Sequence, residues 1–195
     1  MVITVLMVAE KPSIADTLAH ALSRSTPTQR AGISPACKVW EYEGDFYGQK
    51  AWFKVTSCAG HVYNIDFPPE FNVWDRTDPL TLYGAKTVKL EANPKLRMPA
   101  HFQKEGKGCS YLVLWLDCDR EGENICFEVM QNVVPVLAPA KGEQQVWRAK
   151  FSSLAPVDLK KAMAELGSPN EDEALSVDAR QEMDLKLGCS FTRFQ

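Results

Sequence analysis

The stretch Tyr111-Leu112-Val113-Leu114-Trp115-Leu116, followed at once by Asp117-Cys118-Asp119-Arg120-Glu121-Gly122, decides the fold that the sequence predicts. An uninterrupted run of large apolar residues is typical of a strand that a parallel sheet buries on both faces. From Gly122 to Val134 the apolar residues recur at helical spacing, which predicts an amphipathic helix. The stretch therefore indicates a strand, an acidic turn and a helix, the repeating unit of an α/β fold.

A second unit of the same kind opens the chain. Residues 2–8 are mostly β-branched or otherwise apolar, and Lys11-Pro12-Ser13 begins a helix, where proline is tolerated in the first turn. Glu10 stands at the carboxyl end of this first strand, just as Asp117 stands at the end of the other. Open α/β sheets bind their ligands at this edge, so the sequence predicts one ligand site that unites the two acids.

The acidic side chains of Asp117, Asp119 and Glu121 indicate a metal site. Carboxylates held close together repel one another, so at neutral pH they take up a proton, meet cations or bind a hard ion such as Mg²⁺, which prefers oxygen ligands. Alternation along the strand end predicts that Asp117 and Asp119 point one way and Cys118 the other. The alternative is a solvated acidic loop that caps the following helix, since carboxylates stabilise helix N-termini.

Cationic side chains elsewhere in the sequence are candidate phosphate contacts. Lys11 follows Glu10 directly, and a lysine ammonium suits a phosphate as a point charge; an ordinary surface ion pair is the alternative. His61 is a candidate phosphate or substrate contact, beside the commoner role of a packed or capping histidine. Arg180 and Arg193 are either surface charges or phosphate contacts, and the residues alone do not decide between the two.

Size and composition bound the class of protein. The 195 residues suit one sizeable core, and 45% hydrophobic with 24% charged residues are ordinary globular values that indicate neither disorder nor a membrane span. A net charge of −3 argues against a nucleic-acid binder that relies on a general basic surface. The six cysteines form no C-x-x-C pair and no zinc spacing, and no basic n-region precedes the first strand, so we expect reduced thiols in an intracellular protein.

The remaining elements are predicted in less detail. Residues 38–58 hold two strand-like runs around Gly44-Asp45-Phe46-Tyr47-Gly48, which indicates an antiparallel hairpin or meander. Residues 66–94 carry four prolines and a glycine, and are predicted to be a functional or surface-wrapping segment without regular elements. A last helix is expected from Asn170 onward, with Gly188 ending it.

A set of longer motifs extends over the whole chain. They are Val8-Ala9-Glu10-Lys11-Pro12-Ser13, Glu91-Ala92-Asn93-Pro94-Lys95, the run from Leu116 to Glu128, the run from Leu175 to Glu182, and the run from Phe191 to Gln195. In this order they resemble the N-terminal part of eukaryotic type IA DNA topoisomerases, closer to the III-beta branch than to the alpha form. The resemblance implies a TOPRIM domain over residues 1–153, which is a Rossmann-like α/β fold with a mainly parallel sheet flanked by helices. It also implies that residues 154–195 begin a helical domain that lines the nucleic-acid groove.

The resemblance also assigns roles to single residues. Asp117, Asp119 and Glu121 match the family's D-x-D-x-E metal site, with Glu10 as the acid of the first strand and Mg²⁺ as the implied cofactor. Glu10 and Lys11 match catalytic positions that handle the proton and place the scissile phosphate. The last helix lies along the family's nucleic-acid path. The predicted nucleic-acid contacts are His61, Arg180, Arg193 and Gln195.

Enzymes of this family cleave, pass and reseal single strands of DNA through a 5′-phosphotyrosine, and so relax negative supercoils. The implied partners are single-stranded DNA, RNA as an alternative substrate, the remainder of a topoisomerase chain and an accessory protein, with no membrane. The implied location is the nucleus, with the cytoplasm as a second one. No tyrosine of this chain matches the family's nucleophile, so we expect the chain to carry half an active site and to be inactive alone. The tyrosines are Tyr42, Tyr47, Tyr63, Tyr83 and Tyr111.

Two other functions are compatible with the same acids. A TOPRIM nuclease or a primase-like phosphotransfer enzyme would use them on a metal-activated water or a nucleotide, and would need no tyrosine. The motif of the last helix argues against those families. A non-catalytic receiver-like or scaffold domain would accept a phosphoryl group or a basic partner in the acidic pocket, although Glu10-Lys11 lacks the acidic pair that receivers carry after their first strand.

Overall fold

A computed structural model describes residues 2–73, 76–140 and 144–194, and the described part contains eight strands. Six of them form one sheet, in the order β2-β3-β4-β1-β7-β8 as numbered below. Three of the five pairings in this sheet are parallel, namely β1 with β4, β1 with β7 and β7 with β8. The strands are β1 (Ile3–Ala9), β2 (Thr28–Ala31), β3 (Lys38–Phe46), β4 (Gln49–Ser57), β5 (Tyr63–Asp66), β6 (Val88–Glu91), β7 (Tyr111–Trp115) and β8 (Val146–Arg148).

Helices cover both faces of the sheet. α1 and α4 pack on one face, α2 and α3 pack on the other, and α5 packs against α3. The predicted α/β fold with a mainly parallel sheet is therefore confirmed. No helix in the described ranges is both long enough and apolar enough to cross a membrane. The helices are α1 (Pro12–Leu22), α2 (Met98–Gly106), α3 (Arg120–Val133), α4 (Pro156–Ala164) and α5 (Glu171–Phe194).

The central strands β1 and β7 explain why the fold forms and where its site lies. Val5 and Met7 of β1 belong to the core on the α1 side, whereas Leu6 belongs to the core on the α3 side, as the two-residue period of a strand requires. All five residues of β7 are buried. The register pairs Ala9 with Trp115, so both chains leave the sheet side by side at its carboxyl edge.

Residues 66–94 contain more regular structure than predicted. β5 and β6 pair with each other in antiparallel fashion, and the described residues between them include two short 3₁₀ turns. Phe67 and Leu82 are buried in a small core that also takes in Leu185 of α5. The prolines that suggested an irregular segment begin the 3₁₀ turns, where the missing N–H is not needed.

The predicted end of the last helix at Gly188 is wrong, because α5 continues to Phe194. A glycine inside a helix costs about 1 kcal/mol relative to alanine. Two tertiary hydrogen bonds hold the final turns: Ser190 Oγ donates to the carbonyl of Pro79 at 3.1 Å, and Arg193 Nη1 donates to that of Phe71 at 2.7 Å. The predicted division between residues 153 and 154 stays a prediction.

Candidate functional site

The carboxyl edge of β1 and β7 brings Glu10, Lys11 and Asp117 into contact. The Asp117 N–H donates to Glu10 Oε2 at 3.0 Å, which fixes the side chain of one strand end to the backbone of the other. Lys11 Nζ lies 3.3 Å from Asp117 Oδ2 and 3.5 Å from Glu10 Oε1, so one ammonium serves both carboxylates. Adjacent parallel strands thus unite residues that are 107 positions apart.

Asp119 lies beyond the end of β7, at the start of α3. β7 ends at Trp115, and Asp119 is the N-cap of α3, with its Oδ1 accepting from the Gly122 N–H at 2.7 Å. Such a cap satisfies one of the unpaired N–H groups of the first turn. Strand alternation therefore does not relate Asp117 to Asp119, since β7 ends at Trp115, and the shared orientation of the two side chains stays a prediction.

Glu121 is held between two cationic groups from distant segments. Arg180 Nη2, on α5, donates to Glu121 Oε1 at 2.5 Å, and His61 Nε2 lies 3.2 Å from Glu121 Oε2. The other ring nitrogen of His61 lies 3.3 Å from Glu128 Oε1. Glu128 is buried, and its second oxygen accepts from the Val62 N–H at 2.7 Å. His61 thus lies between a half-buried carboxylate and a buried one.

The pKa values of the cationic groups follow from these contacts. The hydrogen bond to Asp117, its charge and that of Glu10 raise the pKa of Lys11. The hydrogen bond to Glu128 raises the pKa of His61 above its ordinary value, although burial opposes the effect. Each shift favours the charged form, so cations accompany the acids along this edge.

The side chains at this edge offer carboxylate oxygens, the ligands that a hard divalent cation prefers. Two of these carboxylates, Glu10 and Asp117, already share the positive charge of Lys11. The acids are nevertheless spread over separate partners: Lys11 for Asp117, the first turn of α3 for Asp119, and His61 with Arg180 for Glu121. Within residues 2–73, 76–140 and 144–194, no group of three His, Cys, Asp or Glu side chains is arranged to hold a metal ion.

Not every predicted contact lies at this edge. Arg193 stands thirteen residues beyond Arg180 on α5, about 20 Å along the helix axis at 1.5 Å per residue, and it hydrogen-bonds the Phe71 carbonyl. Gln195 lies outside the described residues. The nucleic-acid roles of all four predicted contacts stay predictions. Among the tyrosines, Tyr42 and Tyr111 are buried in the core.

Three buried polar residues around the acidic turn were not predicted: Glu123 and Glu128 on α3, and Arg148 on β8. Arg148 donates to the carbonyl oxygens of Leu116 and Asp117, each at 2.8 Å. A signal was present, because Arg148 interrupts the strand-like run around Trp147. On the core-facing side of α3, the acids likewise lie beside Ile125 and Val129.

Comparisons with known proteins identify the family of the chain. The Toprim domain profile matches residues 5–154. Human DNA topoisomerase 3-beta-1 is 57% identical over 98% of the chain, and human DNA topoisomerase 3-alpha is 38% identical over the same share. These matches cover 22% and 19% of the two human proteins, so the chain spans about a fifth of their length.

A solved structure shows the same fold. The full-length topoisomerase I from Thermotoga maritima superimposes with a TM-score of 0.57 at 18% identity, over 92% of this chain and 24% of that protein. At this level of identity the likeness concerns the fold alone. The profile match and the identity to the topoisomerase 3-beta relatives show that the chain belongs to the Toprim domain family, in a form similar to the Toprim domain of type IA topoisomerase III-beta.

Proposed function

We propose that the carboxyl edge of β1 and β7 binds Mg²⁺ and the phosphates of a single nucleic-acid strand, as the metal-binding half of a type IA topoisomerase centre. The observation that carries the proposal is the alternation of acids and cations at this edge: Lys11 bridges Glu10 and Asp117, and Arg180 pairs with Glu121. The similarity to topoisomerase 3-beta relatives supports the same function.

Glu10, Asp117, Asp119 and Glu121 are the residues proposed to hold the ion. When bound, Mg²⁺ supplies positive charge that stabilises a transferring phosphate and polarises its oxygens. The exposed side chains of Lys11 and Arg180 would then exchange a carboxylate partner for a phosphate oxygen. Lys11 lies beside Glu10, so it would place the phosphate where that carboxylate accepts or returns a proton.

The strand to be cleaved would be single-stranded DNA, with RNA as an alternative substrate. The tyrosine nucleophile would come from the remainder of a longer topoisomerase chain, where an accessory protein would also bind. The four acids at this edge outnumber Lys11 and Arg180, so without a metal the edge would repel a phosphate backbone. Nucleic-acid binding here is therefore expected to depend on Mg²⁺. A nuclear location, with the cytoplasm as a second one, completes the proposal.

Calorimetric titration of the 195-residue chain with Mg²⁺ tests the metal site. We expect the wild-type chain to bind the ion, and Asp117→Asn with Asp119→Asn to abolish binding, because two ligands lose their charge. Glu43→Gln with Glu165→Gln is the matched control, since it removes the same formal charge from exposed positions. Unchanged Mg²⁺ affinity in the aspartate double variant would overturn the proposal.

Activity distinguishes a topoisomerase part from a nuclease. The chain alone should leave single-stranded DNA intact in Mg²⁺, because a tyrosine in the required context is absent from its sequence. Mg²⁺-dependent cutting by this chain, without a covalent protein–DNA adduct, would favour the nuclease instead.

A further inference from the structure

The buried pair of Arg148 and Glu123 lies beneath the acidic turn, and the sequence assigns neither residue a role: Glu123 falls within the run from Leu116 to Glu128, and Arg148 lies outside all the motifs. Arg148 is fully buried and Glu123 is nearly so. Arg148 Nε donates to Glu123 Oε1 at 2.9 Å. Burial of a charged pair is costly unless further hydrogen bonds satisfy both partners, so its remaining contacts identify what the pair does.

The guanidinium of Arg148 holds the chain where β7 becomes the acidic turn. Nη1 donates to the carbonyl oxygens of Leu116 at 2.8 Å and Ala149 at 2.9 Å, and Nη2 donates to that of Asp117 at 2.8 Å. The Leu116 and Asp117 carbonyls lie beyond the last residue of β7, and the Ala149 carbonyl lies directly after β8. The rigid planar fork therefore sets the backbone from which the Asp117 carboxylate projects.

Glu123 links Arg148 to the start of α5. Its second oxygen, Oε2, accepts from the Asn170 N–H at 3.0 Å. Asn170 in turn caps α5, with its Oδ1 accepting from the Glu173 N–H at 3.3 Å. The Arg148 backbone adds two hydrogen bonds to Gly167, at 2.8 and 2.9 Å. α5 is the helix that delivers Arg180 to Glu121, so both ends of that exposed contact are tied to one buried pair.

We propose that Arg148 and Glu123 are positioning residues for the metal site: they fix the Asp117 backbone and the start of α5 relative to each other. The inference rests on the proposed function, because it concerns the same acids. The pair touches neither metal nor phosphate and acts only through the groups it holds. Partners of this kind typically change metal affinity by about 10–100-fold when they are altered.

Mn²⁺ binding to the 195-residue chain tests the proposal. The electron paramagnetic resonance signal of the free ion decreases as Mn²⁺ binds, and this decrease measures the affinity. Arg148→Lys keeps the charge but loses the planar fork, and we expect it to bind Mn²⁺ about 10–100-fold more weakly. The matched control is Arg30→Lys. Arg30 pairs with Glu41 and with the buried Glu105, at the opposite side of the sheet from β8. This control should lose stability without losing Mn²⁺ affinity.

Hydrogen exchange supplies a readout that does not need the metal. In Arg148→Lys, amide exchange should rise in residues 117–124 and 170–174, whereas residues 49–57 should keep their protection. Glu123→Gln is a second variant for the case that Arg148→Lys does not fold. It sets an amide N–H₂ against the N–H donors of Arg148 and Asn170, and it should produce the same exchange pattern.

Three outcomes decide between the proposals. Wild-type affinity for Mn²⁺ in a folded Arg148→Lys chain would overturn the positioning role and leave the proposed function standing. Loss of the fold in both variants would also overturn it, since the pair would then be a requirement of the fold. Absence of Mn²⁺ binding by the wild-type chain would overturn the proposed function, while the exchange pattern would still decide whether the pair couples the turn to α5.

Discussion

Glu121 and Glu123 stand two residues apart at the start of α3, and each pairs with an arginine from a distant part of the chain, yet the two pairs differ in burial. The side chains of Arg148 and Glu123 are 0% and 2% exposed, whereas those of Arg180 and Glu121 are 57% and 38% exposed. A buried pair cannot exchange partners without leaving charge unsolvated, but an exposed pair exchanges readily with water and ions. The contrast separates the residues that fix this edge from those that can meet a ligand.

The largest expected effect comes from breaking the buried pair. Arg148→Met should lower the free energy of unfolding by about 3–5 kcal/mol, because it leaves Glu123 buried and unpaired and removes the donor to the Asp117 carbonyl. Urea denaturation followed by circular dichroism measures the loss. Arg180→Met, at the exposed pair, should change stability by less than about 1 kcal/mol. Similar losses in the two variants would refute the contrast.

The same contrast applies to two histidines. His61 lies at the edge, whereas His101 is fully buried, with Nε2 2.8 Å from Thr56 Oγ1 and Nδ1 without a hydrogen-bond partner among the described residues. Thr56 Oγ1 donates to the Lys38 carbonyl, so the His101 ring donates from Nε2. Protonation of Nδ1 would place a charge where no described atom accepts its hydrogen.

Burial lowers the pKa of His101 from 6.5 to about 4. Because the folded pKa lies below the unfolded one, the unfolded chain takes up the proton first as the pH falls. Stability should therefore be retained above pH 6.5 and should fall by roughly 3 kcal/mol between pH 6.5 and 4. Urea denaturation at pH 7 and pH 4.5 measures the change. His101→Gln, which keeps a donor to Thr56, should show a weaker pH dependence; an unchanged dependence would contradict the assignment to His101.

Two glycines show the same contrast between an enclosed position and an open one. A methyl group at Gly122 would lie 2.0 Å from the Asp117 carbonyl oxygen, whereas at Gly188 it would meet no described atom within 4 Å. Gly122→Ala should therefore cost about 1–3 kcal/mol of stability, through displacement of the acidic turn. Gly188→Ala should instead stabilise α5 by about 0.5–1 kcal/mol. Thermal unfolding compares the two variants, and a stabilising Gly122→Ala would show that the turn yields easily.

The smallest effect is expected at the exposed pair itself. Arg180→Gln frees Glu121 from a competing cation, so Mn²⁺ affinity should rise about fivefold, which corresponds to an exposed pair worth ~1 kcal/mol. Titration of the free Mn²⁺ signal measures the change. Arg24→Gln, an exposed arginine that precedes β2, serves as the control and should leave affinity unchanged. Weaker Mn²⁺ binding in Arg180→Gln would show that Arg180 supports the metal site instead of competing with it.

Strong local patterns made the fold predictable. The apolar runs of β1 and β7 and the helical spacing after Gly122 placed the two central strands and α3, because burial on both faces leaves few other options. The pairing of β5 with β6 was not predicted, since each has only four residues and 21 residues separate them. Gly188 was given too much weight, because Ser190 and Arg193 hold the helix from outside it.

Some features of the candidate site could be predicted from the sequence, and others could not. The positions of Glu10 and Asp117 at strand ends could be predicted, because parallel strands bring their carboxyl ends to one edge. The capping role of Asp119 could not be separated from strand alternation without knowing where β7 ends. The pairing of Arg180 with Glu121 depends on how α5 crosses α3, which no local pattern encodes.

By itself, the sequence determined the central α/β units, the acids at their ends and the resemblance to type IA topoisomerases, because apolar periodicity and contiguous motifs are local properties of a chain. Only the tertiary structure decided which charges are fixed and which are exchangeable. Arg148 and Arg180 are alike as residues, but one is enclosed by carbonyl oxygens and Glu123 while the other stands in solvent. That difference arises from burial, a property of the packed whole, and it determines how strongly each ion pair is held.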